Sequence, residues 1–556
     1  MSENPPTETK RKRRRGAKAK PLEKRSSQTT EKKRRIIMSS ESDTGAISLP
    51  VVKSDSISDK SKDTNEKKCK KRKKKGNVPK PGEDGYLTAT QMRNARKRRA
   101  KQRKGEQTSK VSEQGAGKKT KKRKAKKSKV DNDPSMKYIN DPKSAPLVQR
   151  AISFFAEKNV IFQTYLGTLK GWRTVCKLPV RQTNDEKRSC VIGLFKPKSH
   201  TIVSVPDCPA HHPSINSSIK ILQNTCDRLG IVPYDESTGE GLFRYVCINV
   251  ERSTGKVQMS IIWNSSPYGD ADAETPEKKD LDKLKKALLE EKGGINFHSL
   301  WIHHNAQWKH ADNIFDFGSD DTERTKKSLW KHIHGPKEIV DILDVSQNCT
   351  LRQPCDVELH FPPNTFRQAN IDAFTNIVST IRRYIETYNE HRKSNVNSVQ
   401  ELLPSCIELY GGVGTIGLNI CDLTRSFISS DENPYNKRSF VKSVEKMPSS
   451  IRKKCRYISK NATAMIQEED VISKRNDSSE IIIVDPPRKG LDEIVLNEIC
   501  NCKSRLLIYV SCGFDAFQRD CEALLNSDWK LDKAEGHLLF PGSDAIETLA
   551  FFIKIR

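Results

Sequence analysis

The sequence predicts an α/β protein: a doubly wound, Rossmann-like domain over residues 349–556, behind a mixed α/β region over residues 135–348 and a basic tail over residues 1–134. Three observations carry the prediction. Two short apolar runs, Ile481 to Val484 and Leu506 to Val510, are bounded by turn signals and have the length of buried parallel strands. Each run delivers a reactive side chain, Asp485 and Cys512, to what a doubly wound sheet makes its ligand-binding carboxyl edge. A third run, Ile407 to Tyr410, leads into Gly411, Gly412, Gly414 and Gly417 within GGVGTIGLNICDL, a glycine loop predicted to open a helix.

Taken in order, the chain begins with a tail set apart by its charge. The protein holds 100 Lys and Arg against 70 Asp and Glu, and nearly all of the net +30 falls in the first 134 residues. KRKRRR, KKRR, KKCKKRKKKGN, RNARKRRAKQRK and KKTKKRKAKKSK follow one another with almost no aromatic residues. Such a composition cannot bury enough apolar surface to offset chain entropy, so disorder is expected. Clustered Lys and Arg suit nucleic-acid phosphates and nuclear import, so RNA is the expected partner and nucleus or nucleolus the expected address, with organelle and cytoplasm left open. No apolar run approaches a membrane span, and the N-terminus has no apolar signal region. The fifteen cysteines show no paired spacing and read as reduced thiols; Cys500 and Cys502 have no partner pair at zinc-site spacing, so no metal is expected.

In the middle region, Ala151 to Phe162 has helical apolar spacing. GWRTVCKLPVR, CVIGLFK and TIVSVPDC alternate as strands, INSSIKILQNTCDRLGI returns to helix, and FRYVCINVER with KVQMSIIWNS suggests a hairpin. Asp270 to Gly294 reads as a solvated helical insertion with Leu281, Leu284 and Leu288 on one stripe. Neighbouring His303 and His304 alternate across a strand and do not share a face for a metal. Trp301, Trp308 and Lys309 fit RNA contact better, because aromatic faces stack on bases. FPPNTFRQANIDAF is then a loop leading into a helix with Phe374, Ile377, Ile381 and Ile385 on one face, and Asn389 to Val399 is a polar linker.

After the glycine loop, the strand Phe427 to Ser429 ends at Asp431, twenty positions beyond Gly411, where an acid can accept hydrogen bonds from ribose hydroxyls. Glycine loop plus acidic strand end indicates an adenosine-type cofactor. The spacing is not a clean GxGxxG, so a dinucleotide and S-adenosylmethionine both stand at this point.

From Phe361 onward the motifs resemble, in order, those of the S-adenosylmethionine-dependent RNA 5-methyluridine (uracil-5) methyltransferase family. FRQAN at Phe366 resembles its glutamine motif, LYGGVGTIGL its cofactor loop and SDENP its acidic ribose motif. YISKNA at Tyr457 resembles the segment lining the adenine pocket, DPPRKGL the central carboxylate motif, YVSC the nucleophile and FPGSDAIET the terminal glutamate motif. Upstream, GWRTVCKLPVR and IGLFKPKSHTIVSVPDCP resemble the substrate-side region. The resemblance implies a class I methyltransferase domain behind an RNA-binding region, with tRNA or rRNA as partner. It implies S-adenosylmethionine bound by Gln368, Tyr410, Gly411, Gly412, Gly414, Asp431 and Asp485, and substrate met by Phe366 and Arg488. Catalysis falls to Cys512 as nucleophile and Glu547 as general base, with Asp485 beside them. A monomer is expected. Gly513 and Phe514 follow Cys512 where the family has Asn-Pro, and Ala545 stands in the family's histidine-containing run. Only Cys208 matches the cysteines that hold an iron–sulfur cluster in some members, so no cluster is expected, and the small β-barrel that begins some members is not visible.

The chemistry is coherent with these residues. Uracil C5 becomes nucleophilic only after something adds to C6, and a thiolate is suited to that addition. A general base then removes the C5 proton. The target base has to leave the stack, which costs a few kcal/mol and explains a separate RNA-gripping region. A cytosine-5 methyltransferase would place a cysteine just after the motif prolines, where Arg488 stands. A dinucleotide enzyme leaves Cys512 unexplained. A non-catalytic RNA-binding or ribosome-assembly platform is the alternative from another class, and the joint presence of Cys512, Glu547, Asp485 and Gln368 argues against it.

Overall fold

The computed structural model describes residues 134–183, 189–196, 199, 201–266, 275–290, 294–306, 329–346, 356–393, 403–469 and 479–555. The basic tail to residue 133, Trp308, Lys309 and most of the polar linker lie outside the described residues.

The first helix, α1 (Pro146–Glu157), leads to strand β1 (Phe162–Leu166). Asn159 takes a left-handed φ of 57°, which ends helical progression, so the helix expected over Ala151 to Phe162 lies nearer the N-terminus and Phe162 opens a strand. Strands β2 (Val175–Gln182), β3 (Cys190–Phe195) and β4 (Ile202–Ser204) precede helix α2 (Pro213–Leu229). After it come β5 (Phe243–Val250), β6 (Val257–Trp263), helix α3 (Pro276–Glu290), β7 (Phe297–His304) and β8 (Trp330–His334). These seven strands form one sheet in the order β4-β3-β2-β5-β6-β7-β8.

All neighbours in it are antiparallel except β6 and β7, and a parallel pair needs a crossover, which α3 supplies. The expectation of a solvated insertion is therefore corrected. Leu281, Leu284 and Leu288 are buried with Ile219 and Leu222 of α2 against the sheet. Leu284 has no exposed surface, so Leu284→Ala is expected to destabilise the protein by about 2–5 kcal/mol, read as a lowered urea midpoint. Trp301, expected to meet RNA, lies half-buried on β7 with its ring 4.6 Å from that of His332.

A short ribbon of β9 (Ile339–Asp341) and β10 (Leu359–Phe361) leads to helix α4 (Ile371–Lys393). Then follow β11 (Ser405–Leu409), β12 (Ser426–Ser430), α5 (Pro434–Lys446), α6 (Ser449–Arg452), β13 (Cys455–Ile458), α7 (Ala462–Glu469) and β14 (Ile481–Val484). The chain ends with α8 (Glu493–Asn501), β15 (Leu506–Ser511), α9 (Phe514–Leu525), β16 (Trp529–Leu538) and β17 (Glu547–Lys554).

The second sheet has eight strands in the order β1-β16-β17-β15-β14-β11-β12-β13, parallel except that β17 runs against both neighbours. Ile481 and Ile483 pack on one face with Phe374, Ile377, Ile381 and Ile385 of α4. Ile482 and Val484 pack on the other with Phe154 of α1, Val495 of α8 and Phe517 of α9. Burial on both faces is why these strands read as unbroken apolar runs. A division drawn at residue 349 leaves α1 and β1 upstream, yet both join this sheet: β1 pairs with β16 and α1 packs into its second core.

The chain grows from β11 outward to β12 and β13, then returns to β14 on the other side. That reversal opens a crevice at the carboxyl ends of β11 and β14, where open α/β sheets bind ligands.

Candidate active site

Strand register brings distant residues to one row at this edge. Leu409 pairs with Ser430 on one side and Val484 on the other, so Asp431, Tyr410 and Asp485 follow next to one another. Ser511 pairs with Thr548 across the antiparallel β15–β17 contact, so Cys512, one step beyond, meets Glu547, one step before. The reversed direction of β17 thus brings the start of the last strand to the end of β15.

The helix expected after the glycine loop is replaced by two 3₁₀ turns, Gly417–Asn419 and Cys421–Leu423. Glycines and the β-branched Val413, Thr415 and Ile416 favour α-helix weakly. The Gly417 N–H, which an α-helix would direct four residues back, donates instead to the Glu408 carboxylate at 2.9 Å. Glu408 also accepts from the Ser429 hydroxyl at 2.7 Å, and an added Cβ on Gly411 would lie 2.2 Å from Ser429 Oγ. The loop is therefore wrapped on a buried acid that lies outside the motifs. An acid inside an otherwise apolar strand, Ile407-Glu408-Leu409, is the signal that marks it. Burial pushes its pKa up to about 7, against the two hydrogen bonds and with help from Asp485 and Asp431.

Gly412 and Gly414 hold φ of 56° and 87°, the region that favours glycine, and a Cβ on Gly412 would meet open space. Tyr410 takes φ of 59°, which is costly for a residue with a side chain; its ring packs on the core, so its backbone turns the chain into the loop. Asp431 closes the loop from the neighbouring strand. It accepts from Gly412 N–H at 3.1 Å, Asn433 N–H at 2.9 Å and Asn436 Nδ2 at 2.9 Å. Tyr457 donates to the Gly412 carbonyl at 3.1 Å.

Cys512 is half-buried, and Glu547 is 5% exposed. Burial, then Glu547 and Asp485, push the thiol up to about 11, while Arg488 pulls it down. Burial and then Asp485 hold the Glu547 carboxyl well above its ordinary range, with Arg488 opposing. Burial and then Asp431 raise Asp485 to about 7. The neutral thiol is thus the resting form, and thiolate accumulates as pH rises. Alkylation of Cys512 in the free protein is expected to accelerate about tenfold per pH unit between about pH 8 and 10, measured by peptide mass after iodoacetamide pulses. A rate independent of pH would contradict the burial argument.

Beside these groups lies a cleft of about 550 Å³ between the two sheets, lined among others by Phe366, Gln368 and Arg488. Gln368, expected at the cofactor, lines this cleft, and Phe366 is 65% exposed. The upstream sheet adds Lys177 and Arg173, the latter 4.8 Å from the Trp172 ring and 5.4 Å from that of Phe540. The motifs mark neither cation, because each belongs to a strand-like stretch and acquires a cleft only through packing.

No protein-family model matches the chain. An uncharacterised RNA methyltransferase from Protochlamydia amoebophila is 33% identical over 387 residues, 69% of this chain and 87% of the relative. This chain belongs to the RNA methyltransferases. Another relative, an uncharacterised RNA methyltransferase of Halalkalibacterium halodurans, is 24% identical over 394 residues, 69% of this chain and 72% of its own length. Among solved structures, the Pyrococcus abyssi tRNA (uracil-54, C5)-methyltransferase in complex with S-adenosyl-L-homocysteine shares the fold. It aligns with TM-score 0.50 and 18% identity over 73% of this chain and 82% of its own.

Among the described residues of this RNA methyltransferase, no group of three or more His, Cys, Asp and Glu could hold a metal, and no helix is long and apolar enough to cross a membrane. Cys208 is buried, with its sulfur 3.9 Å from Ser135 Oγ.

Proposed function

We propose that this RNA methyltransferase transfers a methyl group from S-adenosylmethionine to C5 of a uridine in tRNA or rRNA. One observation carries the reading: strand register brings a thiol and two carboxyl groups together at one sheet edge, beside a cleft lined by Arg488 and by further cationic and aromatic side chains.

The residues at the crevice suit S-adenosylmethionine. The space over Gly412 leaves room for a ligand against the backbone, while Asp431 beside the loop supplies the acidic group for ribose hydroxyls. When bound, it supplies an electrophilic methyl group for C5. The chain's own residues do the rest. Phe366 and Arg488 receive the flipped nucleotide in the cleft. The Cys512 thiolate adds to C6, and the electron pair of the 5,6 bond moves into the ring carbonyl as an enolate, giving C5 its nucleophilicity. After methylation the Glu547 carboxylate takes the C5 proton, and the thiolate leaves C6 as the 5,6 double bond reforms. Burial and Asp485 raise the pKa of Glu547, which strengthens it as an acceptor of that proton.

Asp431→Ala is expected to weaken S-adenosylhomocysteine binding by roughly tenfold to a hundredfold in calorimetry, because charged hydrogen bonds to the loop and ligand are lost. RNA affinity should change little; undiminished cofactor affinity would remove the ribose role.

The test of the whole reading is incubation with 5-fluorouridine-containing RNA and S-adenosylmethionine, followed by denaturing electrophoresis. Fluorine does not leave as a proton does, so the C6 adduct should persist, and sequencing the trapped RNA would name the uridine. Tight RNA binding with no adduct across tRNA and rRNA substrates would point to a non-catalytic platform.

A further inference from the structure

Arg488 sits between two grips that the catalytic chemistry does not use. On one side, α9 holds the turn after β14. Asp520, with no exposed surface, accepts from Leu491 N–H at 2.9 Å and from the Tyr509 hydroxyl at 2.8 Å, both on Oδ2. Its Oδ1 accepts from Arg519 Nε at 2.8 Å. Arg519, 56% exposed, reaches over to donate to the carbonyls of Lys489 and Leu491, each at 3.2 Å. Gly490, with φ of 80°, fits beneath them: an added Cβ would fall 2.7 Å from Asp520 Oδ2 and 2.8 Å from Arg519 Nη2. On the other side, the turn that carries Cys512 rests on the Arg488 main chain, since a Cβ on Gly513 would lie 2.4 Å from the Arg488 carbonyl oxygen.

We propose that Asp520 and Arg519 are positioning residues for the reaction: together they fix residues 489–491, so that Arg488 is held against the turn bearing Cys512. This rests on the reading of Cys512 as the reacting thiol. A buried carboxylate is costly without donors, and the two that tie Asp520 to the turn, the Leu491 N–H directly and Arg519 through its bonds to the Lys489 and Leu491 carbonyls, give that turn one position. The adjoining contact at Gly513 then transmits that position to Cys512. Two side chains of α9 thereby set how closely a cation approaches the thiol and the base, and Arg488 is the side chain that favours the charged form of both.

The groups facing each end are few. Cys512 faces Glu547 from β17 and Asp485 and Arg488 from the turn after β14. Asp520 faces Tyr509 from β15, Tyr410 from the end of β11, Cys500 from α8, and Arg519 and Cys521 on its own helix.

The experiment is the pH profile of iodoacetamide alkylation at Cys512, read by peptide mass on the full chain, for wild type and for Arg488→Ala, Arg519→Ala, Asp520→Asn and Tyr509→Phe. Arg488→Ala should slow alkylation about threefold to tenfold at about pH 8 and move the profile to higher pH. Arg519→Ala, a change at a half-exposed side chain that leaves the core intact, should do the same, as should Asp520→Asn. The double variant Arg488→Ala/Arg519→Ala should go no further than Arg488→Ala alone, since both act through one cation. Tyr509→Phe removes a partner of Asp520 without touching the turn and should keep the wild-type profile. A wild-type profile in Arg519→Ala and Asp520→Asn would overturn the proposal, as would an equal shift in Tyr509→Phe, which would indicate general loosening. Alkylation needs no RNA, so this result stands or falls separately from the uracil-C5 assignment, which the fluorouridine adduct decides.

Discussion

Cys512→Ala should abolish methyl transfer, by a factor on the order of 10⁴ or more, while the protein still binds S-adenosylhomocysteine and RNA. No neighbour can replace the thiolate: Glu547, Asp485 and Arg488 face it, carboxylates are poor nucleophiles toward C6, and a guanidinium is none. The half-buried side chain is small, and burial already disfavours its charged form, so alanine should leave the fold stable. Denaturing electrophoresis with fluorouridine RNA provides the second readout, because the adduct seen with wild type should vanish. A variant that retains turnover or still forms the adduct would remove Cys512 from the nucleophile's place.

Glu547→Gln should separate the two halves of the reaction. In the proposed reaction, addition at C6 and methylation at C5 do not need Glu547 as a base, whereas loss of the C5 proton does. With ordinary uridine RNA the variant should therefore accumulate a methylated covalent adduct, and turnover should fall by about 10²–10⁴. Glutamine preserves the shape of a buried side chain whose charged form burial and Asp485 disfavour, so the variant should fold at least as stably as wild type. The measurement is intact-mass analysis of the protein–RNA species during a single turnover. Near-normal turnover without an accumulated adduct would move the base elsewhere, with Asp485 next in line because it titrates near neutrality and borders both groups.

The strands that end in chemistry are legible in the chain alone. Ile481 to Val484 and Leu506 to Ser511 are buried on both faces, so their apolar runs stand out from the chain, and Asp485 and Cys512 follow directly from their ends. The stripe of Phe374, Ile377, Ile381 and Ile385 was equally legible, because one buried face of a helix imposes its period on the sequence.

Tertiary structure decided what depends on pairing between distant segments. Cys512 and Glu547 meet only because β17 inserts antiparallel beside β15, a direction that no local pattern encodes. The Leu281, Leu284 and Leu288 stripe shows an amphipathic helix, but only the parallel β6–β7 pair makes that helix a crossover with its stripe inside. The glycine loop gave up its expected helix to the side chain of Glu408, which competes for the Gly417 N–H from the preceding strand. β1 joins a sheet whose other strands begin some 240 residues later, from Ser405 onward, since an edge strand needs only one partner and β16 offers it. Local sequence specifies which groups are buried and which are offered; which of them face one another is fixed by strand direction and register, and the candidate site is a product of both.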